Sequence, residues 1–164
     1  LPDGAGAVWA GRHLGYKVPE RVAGFDLYNE LLDLSAHKGY KAYFFGGSPG
    51  VAEAAKAKAE ELYPGVKVVG CHNGYFKDED VPQIIADINA SGADMLFVAL
   101  GAPKQEKWLV AHRADLNAKI LMRIGGSFDV LAGKMERARI IKHIYRKKHK
   151  RYIYFDISCY KHWI

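Results

Sequence analysis

Apolar positions along this chain change period from one segment to the next. Phe25, Tyr28, Leu31, Leu32 and Ser35 fall at helical spacing, which predicts a helix over about Phe25–His37, ended by Gly39. Four apolar runs instead have the length of strands: Lys41–Phe45, Val66–Cys71, Asp94–Leu100 and Ala118–Ile124. Each empties into a glycine-bearing turn, and helical patterning resumes after it. Helices are expected from Ser48-Pro49 to Leu62, over Val81–Ala90, over Pro103–His112, and briefly before Gly133. A small-residue helix from Gly4 to Leu14, with Val8, Trp9 and Leu14 on one side, precedes them all.

Strands alternating with helices at this spacing predict an α/β, Rossmann-like fold: a largely parallel sheet with helices on both faces. Right-handed crossovers then bring every glycine-bearing turn to one sheet edge, the carboxyl ends of the strands. Gly46-Gly47, His72-Asn73-Gly74, Gly101 to Glu106 and Gly125 to Asp129 should converge there. The stretch Asp94–Trp108 is the most informative of these. Its strand ends in Gly101, Pro103 follows, and Lys104, Gln105 and Glu106 open a helix whose exposed amides would favour an anionic ligand.

The other turns are read residue by residue. Gly46-Gly47 permits close backbone approach to a phosphate, but a plain strand-to-helix turn explains it as well. The Gly-Lys-Ser/Thr ending of a P-loop is absent. Ser48 can cap the next helix, with Pro49 in its first position. His72, alone at a strand end, is more simply hydrogen-bonded than catalytic. Asp3, isolated before a helix, is by default an N-cap. Asp78-Glu79-Asp80 looks like an Asp-x-Asp metal motif, yet it stands just before a helix, where acids stabilise the N-terminal dipole, and not at the end of an apolar strand. No metal is expected there.

Composition adds three points. At 164 residues and 49% hydrophobic, the chain fits one domain with a sizeable core. No apolar run approaches the roughly 18–20 residues of a membrane span, and Cys71 and Cys159 form no metal spacing, so a reducing cytoplasm is expected. Charge is uneven. Residues 137–164 hold nine Lys and Arg and one acid, a net +8 against +6 for the whole chain, which leaves residues 1–136 at −2. This tail also carries Tyr145, Tyr152, Tyr154, Phe155, Tyr160 and Trp163. Basic residues interleaved with aromatics suit an anionic membrane surface or nucleic acid, and a solvated terminal helix is the plain alternative. The division expected is a globular unit over 1–138 and a basic aromatic tail over 139–164. The chain opens at Leu1 in what reads as mid-domain sequence, so upstream residues are expected.

Several stretches together resemble the WecG/TagA/CpsF family of bacterial glycosyltransferases. They are Pro2-Asp3-Gly4, Glu20-Arg21-Val22-Ala23-Gly24, Phe45-Gly46-Gly47, Gly74-Tyr75-Phe76, Gly101 to Trp108, Gly125-Gly126-Ser127-Phe128-Asp129 and Ala132-Gly133-Lys134. They occur in the family's order over roughly residues 1–138, and Gly101 to Trp108 is the most specific. The resemblance implies an inverting transfer of N-acetylmannosamine from its UDP donor, with no cofactor or metal. The acceptor would be the 4-hydroxyl of N-acetylglucosamine on undecaprenyl diphosphate. The β-1,4 linkage would serve wall teichoic acid or related surface-glycan synthesis, at the cytoplasmic face of the bacterial membrane.

Inversion needs a base for the acceptor proton and positive charge for the leaving diphosphate. By resemblance Asp3 is that base, and Arg21 contacts the diphosphate. Gly46, Gly47, Gly101, Gln105, Glu106, Gly126 and Asp129 are the further substrate-binding candidates. Gln105 offers its amide to the sugar or phosphate. Asp129 could accept hydrogen bonds from the uracil or ribose, or cap a helix.

The chain also departs from the family. By resemblance, a threonine and an asparagine of the active site would come from a segment upstream of Leu1, beyond these 164 residues. After Ala138 the family continues with proline and later Glu-Trp-x-x-Arg; here Arg139-Ile140-Ile141-Lys142 follows and no Glu-Trp appears, so none of that appendage's arginines is carried over. The family tends to have a small residue where Arg123 stands. Other readings are a different donor such as UDP-N-acetylmannosaminuronic acid, which extra cations near the sugar would favour, and a non-catalytic nucleotide-sugar-binding fragment. Nucleic acid is not an expected partner; steep salt-dependent binding to it without UDP binding would reverse that. Self-association is left open.

Overall fold

The two inner strands of the sheet that positions the site are buried on both sides, and their sequence explains why. The computed structural model describes residues 3–134, and the tail expected over 139–164 lies outside the described residues. Four strands, β1 (Lys41–Gly46), β2 (Lys67–His72), β3 (Met95–Ala99) and β4 (Ile120–Arg123), form one sheet in the order β2-β1-β3-β4. All three pairings are parallel. The helices are α1 (Ala5–His13), α2 (Gly24–Lys38), α3 (Val51–Leu62), α4 (Val81–Ala90), α5 (Lys104–His112) and α6 (Ser127–Leu131).

Successive side chains of a strand point to opposite faces. On one face Ala42, Phe44, Met95 and Phe97 pack with Tyr28 and Leu32 of α2, the alanines of α3, and Phe128 and Leu131 of α6. On the other, Tyr43, Phe45, Leu96 and Val98 pack with Ile84 and Ile88 of α4 and Trp108 of α5. Helices therefore cover both faces, and every residue of β3 is buried. The first core is centred on an aromatic cluster. Tyr28 and Phe97 meet edge to face at 4.9 Å, and the Phe44 and Phe128 rings are also 4.9 Å apart. Such pairs contribute about 0.5–1.5 kcal/mol each beyond their buried area. The Tyr28 hydroxyl is buried with no hydrogen-bond partner among the described residues, and burial raises its pKa.

Asp94 stands just outside β3 and ties three strands together at their amino ends. Its Oδ2 accepts the Lys41 N–H at 3.0 Å, its own N–H donates to the Lys41 carbonyl at 2.8 Å, and its carbonyl accepts from Lys119 and Ile120. Helix α3 starts later than the Ser48-Pro49 cap predicts. Gly50 adopts a left-handed conformation (φ 82°) as its N-cap, and the Ser48 carbonyl accepts the Val51 N–H in a preceding turn. A proline in the first helical position cannot be followed by a left-handed residue within the same helix, so the helix begins one residue beyond Gly50.

Candidate active site

The sheet order creates a crevice before any side chain is considered. From β1 the chain crosses to β2 at one edge, while from β3 it crosses to β4 at the other. The connections leave the carboxyl ends of β1 and β3 in opposite directions, and open α/β sheets bind ligands at such a divergence. A cleft of about 660 Å³ lies there. Gly47, Ser48, Gly74, Gly101, Gly126 and Asp129 all line it, so the four turns converge as the topology requires. A second cleft of about 480 Å³ is lined by Asp3, Arg21, Gly24, Gln105, Arg123 and Ser127. Gly125 lines both clefts, which makes it the point where they meet.

In the second cleft Asp3 does not cap the helix that follows it. The N-cap of α1 is Gly4, with no side-chain cap bond. Asp3 Oδ2 instead accepts the N–H of Gly24, the first residue of α2, at 2.9 Å. The Arg21 Nε–H donates to the Asp3 carbonyl, and the Arg21 guanidinium stands 3.7 Å from Asp3 Oδ1. The Asp3 side chain is about half exposed (56%) and lines this cleft. The segment before α1 and the loop before α2 thus bring a carboxylate and a guanidinium side by side.

Gln105 is buried, and its amide is already engaged. Its Oε1 accepts the Gly125 N–H at 3.3 Å and its Nε2 donates to Glu106 Oε1 at 3.1 Å. One N–H and one lone pair of that amide remain for a ligand. Glu106 lies behind Gln105 rather than on either cleft wall, 3.6 Å from the Arg123 guanidinium. The Gln105 amide, its own backbone N–H and Arg123 hold its carboxyl below the usual carboxylate range against the opposing effect of burial. Of the amides expected to be free at the start of α5, the Gln105 N–H is taken by the Gly101 carbonyl; the Lys107 N–H bonds the Pro103 carbonyl as the helix continues.

Gly46 and Gly47 also do something different from cradling a phosphate. Gly46 is buried at the end of β1 and paired with Ala99; its φ is 127°, and a Cβ there would overlap the Ala99 backbone. The Gly47 N–H donates to the Ala99 carbonyl at 2.9 Å and its carbonyl accepts the Gly74 N–H at 2.8 Å. These glycines lock β1, β3 and the β2 turn together, and only Gly47 reaches the cleft wall. Gly101, Gly126 and Asp129 line the first cleft, and α6 has no side-chain cap bond from Asp129 or any other residue.

His72 is hydrogen-bonded, its Nδ1–H donating to the Asn73 carbonyl at 2.7 Å, with its ring against Phe45. Asp80 stands at the N-cap of α4 but makes no side-chain cap bond to it; its carboxylate accepts the Lys77 N–H at 2.9 Å and closes the short turn before the helix. Among the described residues no three His, Cys, Asp or Glu side chains are grouped to hold a metal.

Two cations escape the motif reading. The Lys104 ammonium enters the first cleft, donates to the Gly74 carbonyl at 3.2 Å and sits 4.3 Å from the centre of the Phe76 ring. Arg123, the last residue of β4, lines the second cleft. In both cases the available signal is position: each is adjacent to a turn at the strands' carboxyl ends.

A family model described as the glycosyl transferase WecG/TagA/CpsF family matches residues 1–143. The chain belongs to this family. Similar proteins include two named N-acetylglucosaminyldiphosphoundecaprenol N-acetyl-beta-D-mannosaminyltransferase, one from Bacillus spizizenii and one from Bacillus subtilis strain 168. They are 36% and 34% identical over 138 residues, which is 84% of this chain and 53% of each relative. A protein of the same name from Staphylococcus aureus strain MRSA252 is 33% identical over 161 residues, 98% of this chain and 61% of the relative. The chain therefore spans about half to three-fifths of the length of these WecG/TagA/CpsF relatives. The staphylococcal match runs through almost the whole chain, so most of the segment after Ala138 is aligned with it.

Proposed function

We propose that this chain carries the catalytic α/β unit of an inverting glycosyltransferase. It moves N-acetylmannosamine from UDP to the 4-hydroxyl of N-acetylglucosamine on undecaprenyl diphosphate, giving a β-1,4 linkage. The observation that carries the reading is the Asp3–Arg21 pair in a cleft that joins the switch-point crevice at Gly125. The names of the relatives supply the donor and acceptor chemistry.

In this reading the nucleotide occupies the first cleft, with Asp129 toward the ribose or base and Lys104 contributing positive charge. The diphosphate and sugar extend past Gly125 toward Arg21. Asp3 Oδ1 takes the proton of the acceptor hydroxyl as its oxygen attacks the anomeric carbon. The bond to the diphosphate breaks on the opposite face, and UDP leaves with its charge met by the guanidinium. Side-chain cations fill the role a metal would otherwise have, and no metal takes part. The lipid carrier brings the reaction to the inner face of the membrane in peripheral attachment, in teichoic acid or related surface-glycan synthesis. No helix of the described residues is long and apolar enough to cross a membrane.

The test is transfer of radiolabelled sugar from several UDP-sugars to a lipid-diphosphate acceptor by the full-length protein, with and without Asp3→Asn. Turnover should fall about 10²–10⁴-fold, the usual scale for a lost general base, while UDP affinity in calorimetry stays the same. Unchanged turnover removes Asp3 from the mechanism, and no transfer from any UDP-sugar by the unsubstituted protein removes the reading.

A further inference from the structure

The second cleft holds two guanidinium groups, and the mechanism above uses one. Arg21 is engaged: its Nε–H donates to the Asp3 carbonyl and its head pairs with the Asp3 carboxylate. Arg123 is different. Its side chain is 63% exposed, and its interaction with Glu106 at 3.6 Å is an ion pair without a hydrogen bond. A guanidinium has five N–H donors in a planar fork that matches carboxylate and phosphate. Here that fork stands on the cleft wall with its donors available, at the end of a strand whose backbone fixes its origin. Glu106 Oε1, the oxygen that faces Arg123, also accepts the Gln105 Nε2–H at 3.1 Å, so it keeps a partner without Arg123. Arg123 can turn from Glu106 to a ligand without leaving that oxygen unpartnered.

We propose that Arg123 is a specificity-determining residue, which binds an oxyanion of the substrate beyond the nucleotide. The inference rests on the transferase reading, in which the part of the substrate reaching this cleft lies past Gly125. Two groups offer that chemistry: a carboxylate on the donor sugar and the diphosphate of the lipid-linked acceptor. A neutral sugar offers the fork nothing comparable.

The experiment compares the intact protein with Arg123→Ala and Arg123→Lys. Three kinetic series are needed: a neutral UDP-N-acetylhexosamine, its counterpart with a carboxylate at C6, and the lipid-diphosphate acceptor at saturating donor. Arg123→Ala should raise KM for one oxyanion-bearing substrate about ten- to a hundredfold, the scale of a charge-assisted hydrogen-bonded pair. Affinity for UDP alone should not change. Arg123→Lys should recover part of the loss, because it keeps the charge and loses the fork. A rise confined to the acidic donor assigns the carboxylate, and a rise confined to the acceptor assigns its diphosphate. Unchanged KM in all three series overturns the proposal, and so does an equal loss that includes UDP alone, which would mark general damage. If the unsubstituted protein transfers nothing, calorimetry with inorganic pyrophosphate still tests the arginine. Weaker binding to Arg123→Ala than to the unsubstituted protein supports it, and equal binding overturns it.

Discussion

Gly46→Ala should be the most damaging single-methyl change at the sheet's carboxyl edge, and its cost can be worked from the backbone. Gly46 has φ 127°, a conformation that side chains with a Cβ rarely adopt. Holding an alanine there costs about 1–3 kcal/mol. The added methyl would also overlap the Ala99 carbonyl of the paired strand, so β1 or β3 must shift. Forcing a group into a packed interior costs about 1–3 kcal/mol more. The expected loss is therefore about 2–6 kcal/mol, a large share of the roughly 5–15 kcal/mol typical of a domain. Two neighbouring glycines separate the contributions. Gly101 has φ 76° but open space around a Cβ, so Gly101→Ala should lose only the left-handed penalty of about 1–2 kcal/mol. Gly126 has φ −76° and open space, so Gly126→Ala should stay within about 0.5 kcal/mol of the parent. Urea unfolding of the three variants, compared at a common slope, reads this order directly. Finding Gly46→Ala no less stable than Gly101→Ala would refute the claim that close approach of β1 to β3 requires this glycine.

The Tyr28 hydroxyl is buried without a partner among the described residues, so Tyr28→Phe should be neutral or stabilising by up to about 1 kcal/mol in the same urea assay. A loss above about 1 kcal/mol would reveal a bond to that oxygen. Glu106 has a folded-state pKa below its ordinary value, first through the Gln105 amide. Its contribution is therefore present above about pH 4.3 and is lost as pH falls through the lowered folded value. Glu106→Gln should flatten the acid limb of the stability–pH curve and leave the neutral region unchanged in shape; identical acid limbs would count against the interaction. Deleting residues 139–164 should reduce sedimentation with anionic liposomes, more so at low salt, and equal sedimentation would retire the tail as a membrane contact.

The sheet was legible because its inner strands are buried on both faces. Met95-Leu96-Phe97-Val98-Ala99 is an unbroken apolar run, as central parallel strands tend to be. Their order was not legible in that way: nothing in the periodicity says that β1 lies between β2 and β3. The convergence of turns still followed, because it needs only parallel strands and one crossover hand. Local capping rules failed where tertiary bonds set the backbone. Ser48-Pro49 has the composition of a helix start, yet Gly47 is fixed by Ala99 and Gly74, and the chain reaches α3 only through a left-handed Gly50. Asp3 shows the same limit at longer range. Its carboxylate caps the helix beginning 21 residues later, a pairing no window of local sequence displays.

In the most diagnostic stretch of the chain, part of the hydrogen-bonding capacity read as open to a ligand is used within the fold. Gly101 to Trp108 looks like a ligand-binding helix start, but the Gln105 N–H is taken by the Gly101 carbonyl, and Gln105 spends half its amide on Gly125 and Glu106. That arrangement has a purpose in the geometry. Gly125 lines both clefts, and Gln105 is the side chain that fixes its N–H. In the proposed mechanism, a residue holding the junction of the two clefts would influence both without reacting in either. The groups to which the proposed mechanism gives proton transfer and charge stabilisation, Asp3 and Arg21, come from two separate segments, one before α1 and one before α2. Their placement depends on α2, whose first N–H Asp3 accepts, rather than on the strand that identifies the family. In the proposed mechanism, the residues that mark the family's site are therefore not the pair assigned its chemistry.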